Sequence, residues 1–187
     1  TRFRVISYSR RYHPPNAPPQ AQDVYPLSAH VADLGALVKE LKATPAHLVA
    51  SSYGAYIALL LAVDHPELVR SLVLGEPPIL PLLSRTAVGE ATRQSWLRRV
   101  IEPARKALES GNREEGLRRF VDAVIGPGSF DNFPQSVRTE WVEKQAPELR
   151  AELMTEMSAI TPPLDCGDLG KLKLPTLLVT GDRSPTM

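Results

Sequence analysis

A hydroxyl set between an apolar strand and an apolar helix is the first place in this 187-residue chain where chemistry is expected. The run His47-Leu48-Val49-Ala50 passes through Ser51-Ser52-Tyr53-Gly54 directly into the apolar stretch Ala55–Val63. A sharp strand-to-helix turn accepts only small residues two positions before and after its central residue, because larger side chains collide there. Ala50 and Gly54 flank Ser52 in that way, whereas Ser51 has Val49 and Tyr53, so Ser52 is the candidate nucleophile. At such a turn the hydroxyl projects above the sheet. The free N–H groups and positive end of the following helix favour an oxyanion, with the Tyr53 N–H as one donor. The plain alternative is that Ser52 only caps the helix.

A serine nucleophile needs a base. Of the four histidines, His30 is expected on a helix surface, His47 opens a strand and His65 ends a helix before Pro66. His13 follows an apolar run at the edge of the sheet, which makes it a candidate substrate contact rather than a base.

These residues need a scaffold. Phe3, Val5 and Ile6 predict a first buried strand, followed by a loop over 9–26 in which Pro14, Pro15, Pro18, Pro19 and Pro26 exclude a helix. Ser28 is expected to cap a helix built on Val31, Leu34, Leu37, Val38 and Leu41, ending near Thr44-Pro45. His47–Ala50, Val69–Leu74 and Leu174–Thr180 read as further strands, and Tyr53–Val63 as a helix. Strands that are continuous apolar runs separated by helices imply an α/β fold, a mostly parallel sheet covered on both faces. Between the last two strands, about 90 residues of helical period form an insertion too long for a crossover. Trp96, Phe120, Phe130, Phe133 and Trp141 are expected in its core. From Ser84 to Ile160 it holds 12 basic and 12 acidic residues, so Arg98-Arg99 and Arg118-Arg119 read as solvated faces. The expected organisation is a core segment over 1–80, a helical cap over 81–163 and a return to the sheet over 164–187.

These motifs resemble the α/β-hydrolase superfamily, in its serine-nucleophile, cap-bearing members. The likeness runs through RVISYS, HLVASSYGAYIALLLA, DHPELVRSLVLGEPP and LPTLLVTGDRSP. Two departures stand out: Ala50 replaces the usual Gly, and Arg10-Arg11-Tyr12-His13 replaces the common Asp-x-Arg-Gly-x-Gly turn. Serine at 52, where related epoxide hydrolases and haloalkane dehalogenases carry Asp, points to acyl transfer. The acid that orients the base sits, in most relatives, three residues after the glycine that ends the last strand, which here is Ser184. Asp182 is nearby in a different register. Other relatives take the acid from the preceding strand end, where this chain offers Glu76, at the carboxyl edge where ligands bind. Glu76 is preferred and Asp182 is the alternative. The family's histidine follows one further strand, so the expectation is a partial domain lacking its N-terminal strands and its C-terminal histidine segment.

The resemblance implies a serine hydrolase of an ester, lactone or thioester of a small apolar compound, inactive as the isolated chain. A non-catalytic ligand-binding module and a truncated gene product are the rivals. Composition narrows the setting. With 22 basic and 21 acidic residues, the net charge of +1 signals neither nucleic acid nor an anionic membrane as partner. The single cysteine, Cys166, excludes an internal disulfide and suits a cytoplasmic location. Nine apolar residues at Ala55–Val63 are too few to span a bilayer. No ligand cluster or glycine-rich phosphate loop predicts a metal or cofactor. The 18 prolines, roughly double the ordinary share of about 5%, mark rigid turns around a pocket.

Overall fold

The computed structural model describes residues 3–20, 23, 25–182 and 184. Three parallel strands, β1 (Ala46–Ser51), β2 (Val69–Gly75) and β3 (Thr176–Val179), lie in the order β1-β2-β3. Helix α1 (Leu27–Glu40) precedes β1, and α2 (Ser52–Asp64) crosses from β1 to β2. The register places Ser51 opposite Gly75 and Gly75 opposite Val179, so all three strands end at one level.

Side-chain alternation explains where the core sits. Leu72 and Leu74 point to the face covered by α2 and are fully buried, with Leu48 and Ala50 beside them. α1 packs on α2 through Val31, Leu34 and Val38. On the opposite face Val49 is 78% exposed and its register neighbour two strands away, Leu177, is 57% exposed. The expectation of a sheet covered on both faces therefore holds, among the described residues, for one face of β1 and β2 only; β3 is exposed on both, with Leu178, in register with Leu74, 66% exposed.

Two further expectations need correction. Residues 3–9 run as irregular chain outside the sheet, with Phe3 edge-on to His47 and the Arg4 guanidinium donating to the Leu41 carbonyl. An apolar run becomes a strand only by pairing, and this run has no ladder partner among the described residues. Ser28 does not cap α1: the helix starts one residue earlier, behind Pro26, whose fixed extended backbone leads into it without a side-chain cap.

Between β2 and β3 the chain is helical. α3 (Leu80–Leu83), α4 (Ala87–Trp96) and α5 (Glu102–Glu109) lead to α6 (Arg113–Ile125) and α7 (Ser129–Asn132). α8 (Gln135–Lys144), α9 (Ala146–Met154) and α10 (Met157–Ile160) follow, and α11 (Cys166–Gly170) precedes β3. α4 and α5 are joined by a π-helical turn at Leu97–Ile101, just before Pro103, whose ring and missing N–H disrupt the regular ladder. These helices share their own apolar cluster, with Ala104, Leu108, Leu117 and Phe130 buried and Phe120, Phe133 and Trp141 packed against it. Residues 183 and 185–187, the end of the expected return to the sheet, lie outside the described residues. No helix among the described residues is long and apolar enough to cross a membrane.

Candidate active site

Ser52 stands at the carboxyl end of β1 with φ +50, a left-handed conformation that few non-glycine residues adopt. A Cβ placed on Gly54 would lie 4.0 Å from the Ala50 Cβ, in ordinary contact, so the two flanking positions face each other across the turn. Among the described residues no side chain caps α2, whose N-cap is Ser51. The first N–H groups of the helix, Tyr53's among them, therefore have no side-chain acceptor and no intrahelical one. Helix capping does not account for Ser52.

One strand over, Glu76 repeats the geometry with φ +46 at the end of β2. Since Ser51 pairs with Gly75, Ser52 and Glu76 each directly follow the last paired residue of neighbouring strands. The Glu76 N–H donates to the Val179 carbonyl at 3.0 Å, tying its turn to β3. Its Oε1 accepts from the Gly181 N–H at 2.9 Å and from the Ser184 hydroxyl. The Ser184 bond first, then the Gly181 bond, hold the Glu76 carboxyl below the usual carboxylate range. Asp182 is exposed in the same turn, with no hydrogen bond from its side chain among the described residues. Ser184 is the site residue that spacing alone did not single out as a partner, because its contact with Glu76 spans 108 positions.

The histidines fall elsewhere. His47 Nδ1 bonds the Ser71 hydroxyl at 2.7 Å, near the opposite end of the strand from Ser52, and His65 pairs with Glu67 beyond α2. His30 is buried, not on the surface as expected, because its ring packs 4.3 Å from that of Tyr25. Neither ring nitrogen has a hydrogen-bond partner among the described residues, and burial first, then Arg10 and Arg11, pull its pKa down to about 3, so it is neutral. His13 sits in the loop after residues 3–9, with Nδ1 3.2 Å from the Arg11 carbonyl and Nε2 3.1 Å from Arg10. Glu148 of α9 lies 3.4 Å from the same Nε2. His13 is thus engaged in a link between the loop and α9.

That link is part of a buried polar contact. The Tyr25 hydroxyl donates to Glu148 and accepts from Arg10, whose guanidinium also lies over the Tyr53 ring at 5.3 Å. The Tyr53 hydroxyl donates to the Ile160 carbonyl at 3.4 Å, so the residue that offers its N–H beside Ser52 anchors its side chain under the helical segment. Glu152, one turn after Glu148, makes no hydrogen bond among the described residues. Burial first, then Glu148, push its carboxyl up to about 8. A cavity of about 590 Å³ lies between α1 and the end of α2, lined by Val31, Leu60 and Pro162, and none of the expected site residues borders it. Among the described residues no group of three or more metal-ligating side chains converges.

Strand, elbow, helix and parallel neighbour strand define a class, and the chain matches that class as a family. It belongs to the alpha/beta hydrolase fold family, which it matches over residues 1–187. It is 32% identical over 89 residues to the uncharacterized hydrolase YraK of Bacillus subtilis (strain 168), covering 48% of this chain and 33% of that protein. Its fold is similar to MGS-M2, an alpha/beta hydrolase enzyme from a Medee basin deep-sea metagenome library. There the TM-score is 0.61 and the identity 19%, over 91% of this chain and 58% of that one. It is also similar to a loop variant of haloalkane dehalogenase DbeA from Bradyrhizobium elkanii, with TM-score 0.60 and 21% identity, over 94% of this chain and 63% of that one. The chain thus spans about a third of the curated relative and less than two thirds of either solved structure.

Proposed function

We propose that the protein is a serine hydrolase that cleaves a carboxylic ester, lactone or thioester of a small apolar compound. The observation that carries this reading is Ser52, held at φ +50 at the mouth of an uncapped helix beside Glu76. The name hydrolase borne by the curated relative agrees with it. Ser52 Oγ attacks the carbonyl carbon, and the carbonyl electron pair moves onto oxygen, where the Tyr53 N–H donates to it. A base takes the Ser52 proton and returns it to the leaving group. Collapse of the tetrahedral intermediate leaves an acyl-enzyme, which water hydrolyses with the same base. Among the described residues no hydrogen bond or ion pair joins any of the four histidines to Ser52 or Glu76; in this reading Glu76 orients the imidazole that serves as the base. A serine in place of the aspartate of dehalogenases favours acyl transfer over displacement of halide. The substrate is the only partner this mechanism needs, and the lone Cys166 suits a cytoplasmic setting.

That no histidine is hydrogen-bonded to Ser52 among the described residues also suits a second reading, a module that binds a small molecule without turning it over. One experiment separates the two. The full gene product is treated with a fluorophosphonate and the modified residue is found by mass spectrometry. Modification of Ser52, lost in Ser52→Ala, is the expected result; an unmodified Ser52 in folded protein selects the binding module.

A further inference from the structure

We propose that Ser184 is a positioning residue: its hydroxyl, with the Gly181 N–H, pins one oxygen of Glu76 so that the other is presented to the imidazole. The inference rests on the reading of Glu76 as the acid of the proposed hydrolase. Its warrant is geometric. Glu76 lies at an exposed sheet edge, where a free carboxylate side chain samples several rotamers and would hold a base in no one orientation. Here Oε1 takes both donors, at 2.9 Å from Gly181 N and within bonding distance of Ser184 Oγ, while Oε2 accepts no bond among the described residues. The backbone supports the same link, through the Glu76 N–H to the Val179 carbonyl at 3.0 Å. Two donors on one oxygen fix both the position and the rotation of the carboxyl plane.

The turn is shaped for that contact. A Cβ at position 181 would stand 2.6 Å from Ser184 Oγ and 3.5 Å from Glu76 Oε1, so glycine there lets the hydroxyl keep the rotamer that reaches the carboxylate without shifting. The residue type at 184 matters equally. A carboxylate there would face Glu76 at bonding distance, and the two would be forced to share a proton. A hydroxyl donates instead and leaves Glu76 ionised.

The test is made on the full gene product, with two readouts. Carbon-13 titration of the Glu76 carboxyl is followed in wild type, Ser184→Ala and Ser184→Thr, and the rate of Ser52 modification by a fluorophosphonate is followed in the same proteins. Ser184→Ala is expected to raise the Glu76 midpoint and to slow modification about tenfold, the scale of one lost hydrogen bond to a charged group. Ser184→Thr, which keeps the hydroxyl, is expected to restore both. If Glu76→Gln slows modification while Ser184→Ala changes neither midpoint nor rate, the hydrolase reading stands and the positioning role is overturned. If Ser52 is not modified in wild type, the reading and this role fall together. An alanine variant that slows the reaction with an unmoved midpoint, and is not rescued by threonine, also overturns the role, since it marks a general disturbance of the turn.

Discussion

Two non-glycine residues in left-handed backbone, Ser52 and Glu76, end neighbouring strands at one level. Each conformation costs about 1–2 kcal/mol relative to an ordinary one. Such strain persists only where the surrounding ladder and helix impose it. Ser52→Gly is therefore expected to stabilise the chain by roughly 0.5–1 kcal/mol in urea unfolding, while abolishing fluorophosphonate modification. An equal stability of the Ser52→Gly and Ser52→Ala variants would show that the turn is not strained. The two candidate acids separate at the same scale. Glu76 is gripped by the next turn and Asp182 is not. Glu76→Gln is expected to slow Ser52 modification at least about a hundredfold, since the loss of the orienting carboxylate in a triad costs about 10⁴. Asp182→Asn should stay within about twofold, and the reverse order would move the acid to Asp182.

Among the elements, α9 carries two carboxyls one turn apart toward Arg10, His13, Tyr25 and Tyr53. Glu148 takes the bonds, and Glu152 is left with its pKa raised to about 8 from an ordinary 4.5. A raised folded value means that the native state keeps a proton the unfolded chain releases. Its stabilising effect is complete below about pH 4.5 and is lost as pH rises toward about 8. Glu152→Gln stays neutral throughout, so it should gain on the wild type by roughly 1–3 kcal/mol between pH 5 and pH 8. A pH-independent difference in urea unfolding would refute the assignment. His30 acts in the opposite sense and lower window: with its pKa depressed from 6.5 to about 3, stability is lost as pH falls through that range. At the start of α6, Asn112 accepts from the Glu115 N–H at 3.2 Å. Removing that cap in Asn112→Ala is expected to cost about 1 kcal/mol, read from a thermal melt.

At the scale of the whole molecule, two apolar clusters divide the chain. One joins α1, α2 and the covered face of the sheet, and the other lies within α5 to α9. Polar contacts tie them: Tyr25 to Glu148 and Thr155, Tyr53 to Ile160, and Tyr56 to Pro162. Leu72→Ala and Leu108→Ala, each in a different cluster, are expected to cost about 2–5 kcal/mol. Val49→Thr, on the bare face of the sheet, should change the stability of this chain by less than about 0.5 kcal/mol. A loss above about 2 kcal/mol at Val49 would show that something covers that face in solution.

Local chemistry was legible in the residues themselves. Ala50, Ser52 and Gly54 announce a tight strand-to-helix turn because sterics at such a turn act over four residues. The apolar runs at 47–50, 69–74 and 174–180 announce strands by composition, but the bareness of one face, with Val49 and Leu177 exposed, was not legible in them. Where a partner is distant, the residues are silent. The run at Phe3 to Ile6 has the composition of a strand, yet pairing is a property of two segments, and it lies outside the sheet. His30 looks like a surface residue by helical position, and only the packing of Tyr25 over it makes it buried and neutral. Ser184 carries no motif; its hydroxyl matters because the parallel register brings the turn after β3 against the turn after β2. The elbow at Ser52 is thus written in its own neighbourhood. The grip on Glu76 and the link from His13 and Tyr25 to Glu148 exist only once chain segments more than 100 positions apart are brought together.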